Sequence, residues 1–504
     1  AWGIPGNQRG VGEHPGHGSD GEERCVVGGS VLEGVENAND NDSLLRRRVV
    51  AMPEAEVRRS VGVFGAVVTL VGFVIGVAIF ILPGALAATA GPAVVLSYCI
   101  AGLMALFSCF VAAQIGAVFP TSGASFVAVS RLLSPFLGFV VIWLIIGAVS
   151  VAIALVAYGF ADYALLLLPG LNRVVLALLV VVALSGLNLV GIKETVIGQG
   201  LMVIVFMVAL GVFCCAALIS LDEDLLVPFM PNGLGPMLVA AVPAFFSFAG
   251  FTVVIEIGGE IKNPSQTMPI ALAISFSIVL LVYAAVSLSV VGVIPWQELE
   301  GVGAPVGEAA ARVLPGWMTN GISLAVLAAA ASSINVLLLG FSRDVLALAR
   351  VGALPEIFAR ISRRHGGPAN AVLLITAISM GAIAVGGSIA QLATLVVVGL
   401  LALQAALGVA TLLIPHRLPA PYRAAGFRLG PVSLPFFSVG LIGLSGAFLV
   451  IAASSDPNVV LIAAVWLVVG VVYYGLRRSA LTRRGVDVAQ LIRDHVEEHV
   501  PRDG

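Results

Sequence analysis

From Val63 almost to Leu476 the chain is written in long apolar runs separated by short polar or Gly- and Pro-bearing breaks. Crossing a bilayer takes roughly 20 consecutive apolar residues per helix. Runs of that grade fall at about 63–88, 92–117, 134–162, 172–191, 195–220, 236–261, 268–294, 318–347, 369–387, 390–414, 433–453 and 458–476. They predict twelve helical spans, hence an all-α polytopic membrane protein. Residues 58–430 would form a core of ten spans, 431–476 spans eleven and twelve, and 477–504 a terminal tail in which "VAQLIRDHVEEHV" predicts a short surface helix.

Composition supports the pattern: 59% of the 504 residues are hydrophobic and 11% charged, against about a quarter charged in soluble domains. Charge also orients the spans. With the N-terminus cytoplasmic, 19 of the 21 Lys and Arg beyond residue 57 fall on cytoplasmic segments, and Arg173 and Arg312 fall outside. Acids without cations mark the opposite loops: Asp222, Glu223, Asp224, Glu298, Glu300 and Asp456. This positive-inside asymmetry places both termini in the cytoplasm, in the cell membrane. The basic loops are then topology signals, and a nucleic-acid partner has no support.

Residues 1–57 are rich in Gly, Asn, Asp, Glu and Arg, without apolar period, and are expected to be disordered. Met52 is a plausible start, which would make the preceding stretch a leader or an upstream extension. The cysteines, Cys25, Cys99, Cys109, Cys214 and Cys215, have neither metal-ligand spacing nor an outer-loop position, so no metal site and no disulfide framework is expected. All six histidines lie outside the spans, which excludes a histidine proton relay. No nucleotide-binding motif supports ATP-driven transport.

Two spans carry matched weak points. Gly72, Gly76 and Pro83 punctuate "VGFVIGVAIFILPG" in span one; Pro243 and Gly250 punctuate span six, whose "FFSFAGFTVVIEIGGEIKNP" runs into Glu256 and Lys262-Asn263-Pro264. Glycine alone often only lets neighbouring helices approach. A pair at spans one and six, however, suggests five-helix repeats of inverted topology around a midplane site. There the positive N-terminus of one half-helix and the negative C-terminus of another meet. Amides at Ile75, Gly76, Val77, Ala78 and Ile79 would hold a carboxylate. Carbonyls at Ser247, Phe248, Ala249, Gly250, Phe251 and Thr252 would receive an ammonium group. Together they suit an α-amino acid.

These motifs resemble those of the amino acid–polyamine–organocation superfamily, whose amino acid permeases have the LeuT-type fold. "IGVAIFILPG", "AGPAVVLSYCIAGLMAL", "FPTSGASF", "FAGF…GEIKNPSQTMP" and "GFSRDVLALARVGALPEIFARISRRHGGPANA" follow the family's order across residues 60 to about 430. The resemblance implies a secondary transporter, not an enzyme, that works by alternating access. It also locates departures. Ala78 replaces a glycine and Thr252 and Gly259 replace acids. The lysine that some proton-coupled relatives carry in span five falls near Phe206, and that span has no lysine.

Ion coupling, to H⁺ or Na⁺, has two sets of candidates. Glu256 is the acid deepest in a span, and intramembrane acids are functional candidates by default; pairing with Lys262 is its structural alternative. Ser332 and Ser333 on span eight offer the oxygen ligands hard cations take, or merely bond back to their own turn. Gln114 and Gln404 are expected to bond between helices, and Tyr158 to anchor at the interface beside Asp162, near the entrance. A polyamine, organic-cation or inorganic-ion carrier on the same fold, or an exchanger, is the alternative reading. It would need an acid in the pocket, where Glu256 or Asp162 is available. Relatives that pair with a glycoprotein use a cysteine between spans three and four; "LLPGLNRVV" has none, so no disulfide-linked subunit is expected.

Overall fold

The computed structural model describes residues 62–498 apart from 122, 191–195, 254–260 and 363–366. The expectations for residues 1–57, Glu256 and Gly259 lie outside the described residues. The chain divides into a unit of residues 1–53 and a unit of residues 54–504, and the described residues all belong to the second.

Among the described residues, the regular structure is helical. Span one is split into α1 (Val63–Val74) and α2 (Ala78–Ala90). Then come α3 (Val94–Val118, span two), α4 (Ala124–Leu132), α5 (Pro135–Leu167, span three), α6 (Arg173–Val190, span four) and α7 (Val196–Ile219, span five). Span six is α8 (Leu234–Ala244) followed by a 3₁₀ segment, Phe245–Val253. The rest are α9 (Pro264–Val291, span seven), α10 (Pro305–Val313), α11 (Gly316–Arg350, span eight), α12 (Ala369–Val385, span nine) and α13 (Ile389–Arg417, span ten). A short α14 (Pro419–Ala424) leads to α15 (Ser433–Ser455) and α16 (Pro457–Thr482), spans eleven and twelve, and then to α17 (Val488–Glu498).

Among the described residues, each of the twelve expected runs is largely helical, because in lipid a helix satisfies its own backbone. The segment "FPTSGASF" is only partly a connection, since its last residues open α4. Arg343 and Arg350 sit on the last turns of α11, where cations complement a helix C-terminus. Asn263, at φ 44°, takes the left-handed conformation that Asn tolerates, and its carbonyl accepts from Gln266 and Thr267 at 3.0 Å each. That turn, closed by Pro264, starts span seven.

Two groups of spans emerge from the packing. Spans one, two, six and seven lie against one another; three, four, eight and nine form a second group, with span ten against span three. Small residues allow the closest approaches: a Cβ at Gly399 would come within 2.8 Å of Ala148, and one at Gly159 within 3.0 Å of Ile81. On the outer side of this second group, Trp143 and Trp466 stack at 4.8 Å and each donates its indole N–H to the other's carbonyl at 2.9 Å. Gly147 and Gly470 make the room for these indoles.

Candidate functional site

The break in span one is three residues long. Ile75 turns out of the helix at φ −83°, ψ 86°, its amide still donating to Val71. The Gly76 amide donates to Val74 at 3.0 Å, and α2 restarts at Ala78 with Val77 as its cap. A new helix N-terminus therefore stands at Ala78 in the middle of the span, its third amide, that of Phe80, donating to the Val77 carbonyl at 3.0 Å. Gly76 is partly exposed, whereas Ile75, Val77, Ala78 and Ile79 are buried. A Cβ on Gly76 would lie 3.2 Å from the Ser333 hydroxyl oxygen, so span eight meets the break at this point. Ser332, one residue earlier, is buried.

Span six leaves the α-helical path at the expected place: after Ala244 it tightens into nine residues of 3₁₀ helix, far beyond the three or four usual for such a run. Pro243, which has no amide to donate, sits where the change begins. With three residues per turn, Phe245, Phe248 and Phe251 share one face. Phe248 packs on Tyr98 and Tyr283, Phe251 on Phe276, and Phe245 on Phe448. These aromatics anchor the segment to spans two, seven and eleven. Phe248 and Phe251 are fully buried, and Ser247 lies beside the Tyr98 and Tyr283 phenols.

Ala249 and Gly250 are partly exposed, and the segment packs along α1; the side chain of Thr252 lies outside the described residues. Phe246, on another row of the 3₁₀ turn, packs on a small apolar cluster, Ala148 and Ala152 of span three and Val396 of span ten, together with Leu337 of span eight and Leu400. The sequence reading does not single out this residue. The available signal is the FF pair, which a period of three sends to different sides. The structure therefore brings the span-one break against Ser333 and the 3₁₀ segment against α1, and sets Phe246 of that segment against an apolar wall.

Above α2 the site is held by Tyr163, which donates to the Phe80 carbonyl at 3.0 Å and accepts from the Gly307 amide at 3.1 Å. Phe206 is buried edge-on to Phe80 at 6.5 Å. An aromatic contact with α2 occupies this stretch of span five.

Asp162 is not a free acid at the entrance. Both its oxygens accept from Arg173, at 2.6 and 2.7 Å, while the guanidinium lies 4.4 Å over the Tyr158 ring. Tyr158 is buried, not interfacial, and donates to the Ile383 carbonyl at 2.6 Å. Gln404 accepts from Ser108 at 2.7 Å, joining spans ten and two; Gln114 instead accepts from the Leu429 amide in a loop, at 2.8 Å. Among the described residues, Cys99, Cys109, Cys214 and Cys215 are free thiols.

The chain matches the amino acid permease family model over residues 61–476. It is 27% identical to the branched-chain amino acid permease BcaP of Bacillus subtilis (strain 168), over 84% of this chain and 94% of that protein. It is 27% identical to the methylthioribose transporter of the same organism, over 86% and 97%. The cationic amino acid transporter 3, mitochondrial, of Arabidopsis thaliana is 27% identical over 69% of this chain and 61% of its own length.

Proposed function

Because the chain belongs to the amino acid permease family of the amino acid–polyamine–organocation superfamily, and so is a transporter and not an enzyme, we propose that it carries a neutral, apolar α-amino acid across the cell membrane by alternating access. The observation that supports this reading is the meeting of the span-one break with Ser333; Phe246, on the 3₁₀ segment that packs along α1, adds an apolar wall. The amides at the start of α2 hold the substrate carboxylate, as helix N-termini hold anions. Ala249 and Gly250 offer backbone to the ammonium group, and the side chain lies toward Phe246, Leu337 and Val396. The relative named for branched-chain amino acids is consistent with such a wall.

Both termini face the cytoplasm on this reading, following the arginine distribution. The groups of spans one, two, six and seven and of three, four, eight and nine then move against each other. Transport is coupled to a proton through Glu256, or to sodium through Ser332, Ser333 and carbonyls of the span-one break. Relatives named as cationic amino acid transporters favour a second reading, a lysine- or arginine-type substrate. Asp162 is already paired with Arg173, which weighs against it.

Uptake into proteoliposomes of labelled leucine, isoleucine, valine, lysine, arginine and putrescine, under imposed proton or sodium gradients, tests the proposal. Saturable uptake of the branched-chain substrates alone supports it; uptake of lysine or putrescine alone overturns it. Unchanged pH-driven accumulation in Glu256→Gln would remove the proton route.

A further inference from the structure

On the arginine-rich face of the spans, α4 and α13 end side by side and leave a cleft of about 240 Å³ lined by Arg131, Leu132, Arg417 and Leu418. That is room for roughly eight waters at about 30 Å³ each, enough for a phosphate group. The cleft combines a buried apolar pair, Leu132 and Leu418, with two guanidinium groups. Arg417 Nη1 donates to the Leu132 carbonyl at 2.6 Å, and Arg131 Nη1 to the Glu497 carboxylate at 3.2 Å. A guanidinium carries five N–H donors, so these two bonds leave most of both forks unused.

Helix-end carbonyls absorb part of this charge, yet a single carbonyl and a single carboxylate oxygen do not match two planar forks. Phosphate oxygens do, bidentately. Basic pockets between spans at a membrane surface suit phospholipid headgroups. We propose that this cleft binds a phosphate group, supplied by the headgroup of an anionic phospholipid.

Glu497 is then the built-in competitor. It belongs to α17, whose Val488, Ile492 and Val496 are buried against the body, while the Glu497 side chain itself is 60% exposed. The helix stays docked through its apolar stripe, and the carboxylate is free to yield Arg131 to a stronger anion.

The test uses the full chain in nanodiscs of phosphatidylcholine alone or with phosphatidylglycerol, read by thermal unfolding. A third arm adds inorganic phosphate to the phosphatidylcholine discs. Phosphatidylglycerol is expected to raise the midpoint of the native protein by several degrees. It should raise that of Arg131→Gln far less, and that of Glu497→Gln more than the native. Arg423→Gln, on the same face but outside the cleft, should respond as the native protein does. Arg131 carries the test because Arg417 also caps α4. A native-like response of Arg131→Gln, or a response of Glu497→Gln no larger than native, overturns the proposal. Stabilisation by inorganic phosphate but not by phosphatidylglycerol overturns the lipid as the source.

Discussion

Tyr163 joins two parts of the molecule through one oxygen: it donates to the Phe80 carbonyl of α2 at 3.0 Å and accepts the Gly307 amide of α10 at 3.1 Å. The Gly307 amide is in the first turn of its helix, where no intrahelical acceptor exists. Close packing of Gly84 under Pro305 brings the same two helices together. Removing the hydroxyl leaves buried backbone groups without a partner, a loss of about 1–3 kcal/mol. Tyr163→Phe is expected to fold, to unfold several degrees lower, and to transport more slowly. Circular dichroism melts and initial uptake rates check this.

The approach of Gly76 to Ser333 makes a second prediction. A methyl at residue 76 would sit 3.2 Å from the hydroxyl oxygen, closer than ordinary carbon–oxygen packing, and would fill the break. Gly76→Ala should reduce uptake by at least tenfold, and Ser333→Ala in that background should restore part of it. A double-mutant cycle with coupling of about 0.5–3 kcal/mol is the expected result for neighbours in contact.

Phe246 makes the third. Its ring forms part of the apolar wall with Ala148, Ala152, Val396 and Leu337, so Phe246→Ala should raise KM for leucine more than for alanine. A tenfold change in that ratio corresponds to about 1.4 kcal/mol, within the value of burying a large apolar side chain. Competition uptake with the two amino acids measures it.

Asp162 and Arg173 make the fourth. The carboxylate is nearly buried, at 8% exposure, and the guanidinium is at 36%. Asp162→Asn leaves the cation over Tyr158 uncompensated, while Asp162→Asn with Arg173→Gln removes both charges. The single variant should be less stable than the double, in thermal melts of both.

The twelve spans are legible in the sequence because lipid imposes one rule on every crossing segment, and runs of 20 apolar residues have no soluble counterpart at this density. Gly76 is legible for a similar reason: a helix that loses its ladder at mid-depth shows its weak residues. Span six is less so. Pro243 marks where α helix ends, but the 3₁₀ winding beyond it depends on Phe248 and Phe251 finding Tyr98, Tyr283 and Phe276 on other spans. That tertiary match is invisible to local periodicity, as is the packing of Phe246 on spans three, eight and ten. The helices α4 and α10 escape a sequence reading because nine residues are too few to show an apolar period. Tyr158 reads as an interfacial anchor because its acceptor, the Ile383 carbonyl, lies 225 residues away in the chain.

The proposed substrate recognition rests on a single grip, in which α2 amides would hold a carboxylate while the 3₁₀ segment would receive an ammonium group. Its most direct test is inhibition of labelled leucine uptake in proteoliposomes by leucinol, which lacks the carboxylate, by 4-methylpentanoate, which lacks the ammonium group, and by unlabelled leucine. Inhibition by leucine, with both analogues at least a hundredfold weaker, is the predicted result. Inhibition by leucinol or 4-methylpentanoate as strong as that by leucine would contradict it.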